Sequence, residues 1–215
     1  MWLFRPPGVY RPQGDSRLLA ETLRAARAGV RVLDVGTGTG VLALTAARTG
    51  AAQVIAIDSS ARAVLTARAN AWLRRLPVRV LRSDLLEAVT GEAFDIIVAN
   101  PPYVCSNDLR RPPGSSHTWD GGADGRLVLD RLCSSAPPLL APRGTLLLVQ
   151  SALCGVQHTV DRLRSEGLRA AVVARRQEAF GPVMRAMAGE LETRGLIKPA
   201  QRYEDLVVIR AERTE

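Results

Sequence analysis

A chain of 215 residues, 47% hydrophobic and 23% charged, has the size and composition of one soluble globular domain. Three cysteines (Cys105, Cys133, Cys154) without metal-ligand spacing exclude a disulfide framework or a zinc finger. An opening apolar run broken by Pro6 and Pro7, and no stretch near the ~20 residues of a membrane span, point to a cytoplasmic protein with no membrane association. The formal charge of +8, carried by arginine except for Lys198, suits an acidic partner such as nucleic acid or a ribosome-associated factor. Scattered as they are, the arginines equally describe a solvated basic surface.

The elements alternate. A lead-in segment and a helix over Ser16–Ala28 fill residues 1–29, before a strand over Val30–Val35 and a helix over Val41–Arg48. A strand at Gln53–Ile57, a helix over Ala61–Arg74 and a strand at Val78–Leu81 follow. Phe94–Ala99 is nearly all apolar, the pattern of a strand buried on both faces. A helix over Gly125–Ala136 leads to a strand at Thr145–Gln150, then a helix over Val156–Glu166 and a strand near Ala170–Ala174. Pro182–Arg194 reads as a helix and Glu204–Ala211 as the last strand, so residues 177–202 form an insertion before it. Strands alternating with helices predict an α/β fold with a mostly parallel sheet. A last strand reached through a helical insertion predicts that this strand runs antiparallel, in a Rossmann-like sheet of seven. Residues 1–215 read as a single domain.

The first strand runs straight into Gly36-Thr37-Gly38-Thr39-Gly40 and then a helix. Alternating glycines let the backbone turn tightly and approach a ligand closely. Asp34, two residues earlier, would oppose a dinucleotide pyrophosphate but suits the cationic amino-acid end of S-adenosylmethionine (SAM). Asp58, at the tip of the second strand, offers two oxygens to the two ribose hydroxyls. Its alternative role, capping the next helix, can fall to Ser59 or Ser60. Asp84, after the third strand, can accept from an adenine amino group while Leu85 covers the ring; a plain helix cap is its alternative.

Asn100-Pro101-Pro102-Tyr103 follows the buried strand directly, where an open α/β sheet places its ligand crevice. The side-chain oxygen of Asn100 and the carbonyl of Pro101 can accept both hydrogens of an –NH2 group, which orients its lone pair and stabilises charge growing on nitrogen. Tyr103 offers a flat face to a planar amide or base. Cys105 and His117 lie nearby, but direct displacement needs neither a nucleophile nor a dedicated base.

DVGTGTG, AID, SDLL and NPPY, in this order and spacing, resemble the HemK family of protein-glutamine N5-methyltransferases, over most of residues 9–176. Trp119–Arg126 (WDGGADGR) is similar to that family's glycine-rich turn. Val9–Leu19 is similar to its lead-in, which places Asp15 or Ser16 near the methionine end of SAM. The resemblance implies a class I SAM-dependent methyltransferase fold and methyl transfer to the glutamine of a release-factor Gly-Gly-Gln loop. It implies no metal. Bacterial members carry an amino-terminal helical domain not found here, whereas short archaeal and eukaryotic members act with a small activator protein. NPPY is also similar to the motif of enzymes that methylate N6 of adenine or N4 of cytosine, which keeps a nucleic-acid acceptor, or a small amine, as the alternative. Arg11 and Gln13 depart from the family's acidic or small residues. The glycine-rich loop Ser106–Gly122 reads as a lid over the substrate.

Overall fold

The computed structural model describes residues 1–25, 28–106 and 119–214. Its seven-stranded sheet has the order β3-β2-β1-β4-β5-β7-β6. The strands are β1 (Arg31–Val35), β2 (Gln53–Asp58), β3 (Val78–Arg82), β4 (Phe94–Ala99), β5 (Leu140–Ser151), β6 (Arg169–Ala179) and β7 (Tyr203–Glu212). The helices are α1 (Gly14–Arg24), α2 (Val41–Arg48), α3 (Ala61–Trp72), α4 (Leu127–Ser135), α5 (Val156–Ser165) and α6 (Pro182–Thr193). β7 is antiparallel to both β5 and β6, as expected of a last strand reached through a hairpin.

Topology dictates where a ligand can sit. From β1 the chain winds outward to β2 and β3, and from β4 it winds the other way to β5. Right-handed crossovers in opposite directions put their helices on opposite faces of the sheet. The two windings part between β1 and β4, which pair in parallel with Val35 beside Ala99. A crevice opens beyond the carboxyl ends of the strands at such a switch point. Leu33, Ile55 and Ile97 are fully buried, so the strands that carry the site are held from both faces.

Some elements differ from the sequence expectation. α1 begins two residues earlier than Ser16 and ends at Arg24. β6 runs to Ala179, because Gln177, Glu178 and Ala179 continue the ladder with β7 opposite Asp205, Glu204 and Tyr203. The region 177–202 is therefore partly strand, and its remainder carries α6. β5 begins at Leu140, passing a register shift opposite Phe94 and Ile96. The expected lid over Ser106–Gly122 and the side chain of His117 fall largely or wholly at 107–118, outside the described residues.

Candidate active site

The glycine turn after β1 is shaped by conformation. Gly36 and Gly38 adopt φ of 69° and 54°, a left-handed region in which a side chain is strained, and a Cβ at Gly38 would meet open space. The turn is pinned from two sides. The backbone N–H of Gly38 donates to Asp58 Oδ2 at 2.9 Å, and those of Gly36 and Thr37 donate to the Ile57 carbonyl. Asp58 also accepts from the Ser60 N–H at 2.9 Å, and burial raises its pKa. Ser60, not Asp58, caps α3, by accepting from the Ala63 N–H.

Beyond these strand tips lies a cavity of about 560 Å³, within the range of small-molecule sites. Of the residues expected to bind a cofactor, Ser16, Gly36, Thr37, Gly38, Asp58 and Ser59 line it. So do Asp84, Leu85, Asn100, Pro101 and Pro102. Two do not reach the wall. Gly40 is the left-handed residue before α2, and its Cβ position lies 3.3 Å from the Ala67 methyl. Asp34 is fully buried behind the turn, where its Oδ2 accepts from Thr37 Oγ1 at 2.6 Å and from the Ala43 N–H at 3.0 Å. Burial lifts its pKa to about 7. Asp34 thus braces the glycine turn. Asp84 is also engaged, in an exposed ion pair with Arg131 of α4 at 2.9 Å, and Leu85 beside it holds a left-handed φ of 43°. Asp34 Oδ1 and the Thr39 hydroxyl, the latter in the wall, are buried without hydrogen-bond partners among the described residues. A polar ligand carrying donors fits such a cavity.

A second, smaller pocket adjoins the first where both are lined by Tyr10, Asn100, Pro101 and Pro102. At that junction stands a buried hub, Asp15, in the first turn of α1. Its Oδ2 accepts from Tyr10 Oη at 2.7 Å, Asn100 Nδ2 at 3.0 Å and Tyr103 Oη at 3.1 Å. Its Oδ1 accepts from the Ser16 hydroxyl at 3.1 Å, and that hydroxyl lies 3.2 Å from Asn100 Nδ2. Because a carboxylate only accepts, the –NH2 of Asn100 must face Asp15, and its carboxamide oxygen faces away. Burial, reinforced by the Asp15 charge, holds the Tyr103 hydroxyl well above its usual pKa, so it remains a donor.

The segment after Asn100 is clamped by the glycine-rich turn at Trp119–Arg126. Val104 donates to the Trp119 carbonyl at 3.0 Å and accepts from Gly121 at 2.9 Å. A Cβ at Gly121 would lie 2.8 Å from the Tyr103 Cα, and one at Gly125 would strike the Tyr103 carbonyl. Arg126 is buried, bonded to Thr159 Oγ1 at 3.0 Å and paired with Asp130 at 2.6 Å. The sequence alone missed Asp15 as the hub, the Tyr10 hydroxyl and the contribution of α6. An aspartate in a first helical turn looks like ordinary dipole compensation, and only the fold brings it to Asn100, 85 residues away.

A sheet wound both ways from a central pair of strands, with its cleft beyond their carboxyl ends and one antiparallel strand near the far edge, is the frame of class I methyltransferases, which take their methyl group from SAM. The model of the methyltransferase small domain matches residues 2–114, and the chain belongs to that family. It is 36% identical over 179 residues to a protein of Methanocaldococcus jannaschii named for protein N5-glutamine methyltransferase activity, covering 83% of this chain and 90% of the relative. It is 37% identical to the release factor glutamine methyltransferase of Bordetella pertussis over 67% of this chain and 57% of that protein, so it spans little more than half the length of the bacterial enzyme. Among solved structures it resembles the methyltransferase of the E. cuniculi Mtq2–Trm112 complex, responsible for methylating the eRF1 termination factor. The TM-score is 0.69 and the identity 25%, over 96% of this chain and 99% of that one.

Proposed function

We propose that this enzyme methylates the side-chain amide nitrogen of a protein glutamine, of the kind found in the Gly-Gly-Gln loop of release factors. The orientation of Asn100 carries the reading. Its –NH2 is held by Asp15 and Ser16, which leaves its carboxamide oxygen to accept from an incoming –NH2 at the junction of the two pockets. The Pro101 carbonyl, with no N–H on its own residue to compete, is the second acceptor. Relatives named for glutamine methylation and a structural neighbour acting on a termination factor support the same acceptor.

The donor site would be made by the glycine turn, Asp58 and Ser59 on one side and by Asp84 and Leu85 on the other. SAM bound there supplies a methyl group already activated on a cationic sulfur. The protein's own contribution is placement: Asn100 and Pro101 fix the acceptor nitrogen, Tyr103 packs beside it, and the walls exclude water. By accepting from its two N–H groups, Asn100 and Pro101 also stabilise the positive charge growing on the nitrogen, which loses one proton to solvent once it carries the methyl group. A small protein partner, like the one named in the E. cuniculi complex, belongs to the same reading. Trp2, Trp72 and Leu73 are exposed, on a lead-in and a helix end joined by Phe4–Asn70 and Trp2–Arg74 hydrogen bonds, and offer such a partner apolar side chains to cover.

The test supplies methyl-labelled SAM with a purified release factor, the same factor with its Gly-Gly-Gln glutamine replaced, tRNA and duplex DNA in parallel. Label on the intact factor that disappears with the glutamine is the expected result. Label on nucleic acid alone would overturn the reading.

A further inference from the structure

The smaller pocket is closed by a part of the chain that no motif marks. Beside Asn100 and Tyr103 it is walled by Trp119 and by the start of α6, through Gly181, Val183 and Met184. Its volume is about 60 Å³, against about 560 Å³ for the larger cavity. Its lining is mixed, with Gln13, Asp15 and Asn100 polar and Trp119, Val183 and Met184 apolar. α6 is held firmly in this position. Met184 is 5% exposed and part of the core, and the Gly181 Cα approaches Gln13 so closely that a Cβ there would lie 2.6 Å from Gln13 Oε1.

We infer that the first turn of α6, through Val183 and Met184, forms one wall of the slot that positions the acceptor side chain against Asn100. The inference rests on the proposed glutamine acceptor but can fail separately from it. α6 reaches this position because the hairpin of β6 and β7 brings it back over Asn100–Tyr103, beside the lead-in. The slot meets the donor cavity at Tyr10 and the Asn100–Pro102 segment, and neither Val183 nor Met184 lines that cavity, so a larger side chain at either position should not touch the cofactor.

Two substitutions that fill the slot, Met184→Trp and the more exposed Val183→Phe, test this against acceptor kinetics and SAM binding. A fall of about 100-fold in kcat/KM for the release factor, with SAM Kd and the unfolding midpoint near wild type, is expected of each variant that folds, a misplacement-sized loss. Either variant binding SAM normally and methylating within about 3-fold of wild type would overturn the slot. Should Met184→Trp fail to fold, Val183→Phe decides alone. Failure of the glutamine reading looks different, because wild-type enzyme would then label another acceptor. The same two variants assayed on that acceptor would still show whether α6 walls its site.

Discussion

Two aspartates at the mouth of the sheet meet burial in different ways. Asp15 is surrounded by donors and acts as the hub that turns Asn100. Asp34 keeps one oxygen unpaired among the described residues, and its full burial raises its pKa to about 7. An acid with a higher pKa folded than unfolded holds a proton that the unfolded chain releases. Stability from Asp34 is therefore complete below its unfolded pKa of about 4 and is lost as pH rises through about 7, a change of at most ~4 kcal/mol. Denaturant midpoints measured across this range should fall for wild type and flatten for Asp34→Asn. Equal slopes for both proteins would assign the pH dependence to other groups.

At the scale of elements, β1, β2, β3 and β4 were legible from short apolar runs that each lead into a motif. Asp34 was legible as a strand-end acid, but its burial behind the turn was not. Whether a carboxylate lines a cavity or braces a loop depends on the helix that follows, here α2 through the Ala43 N–H. β6 looked too short because Arg175–Ala179 is polar and alternates, as an edge strand facing water does. α6 has no motif, and its place beside Asn100 comes from the β6–β7 hairpin alone. The glycine-rich turn was legible by resemblance, and its geometry explains the glycines. Gly125→Ala would add a methyl against the Tyr103 carbonyl at a φ of 74°, at a cost of about 1 kcal/mol from conformation alone. Its kcat should fall by about 10-fold or more with SAM affinity preserved, since Gly125 packs against Tyr103 and does not line the larger cavity. Wild-type kcat in a folded Gly125→Ala protein would show that Tyr103 needs no such clamp.

For the whole molecule, the sheet's switch point divides the labour. The tips of β1 to β3 and α4 line the proposed donor cavity, α6 lines only the proposed acceptor pocket, and the lead-in and the glycine-rich turn reach both. The two volumes meet at Asn100, one residue past a central strand buried everywhere but at Asp95, so the proposed point of reaction sits at the tip of that strand. Surface pairs such as Arg31–Glu92 and Arg176–Glu21 leave the net charge of +8 unchanged, and that charge names no acceptor by itself. The central claim is that Asn100 serves the acceptor nitrogen and not the cofactor. It is tested most directly by measuring SAM Kd by calorimetry and single-turnover methyl transfer for Asn100→Ala. The account predicts a turnover loss of at least about 100-fold with SAM Kd within about 3-fold of wild type. A SAM affinity that falls as steeply as turnover would contradict it.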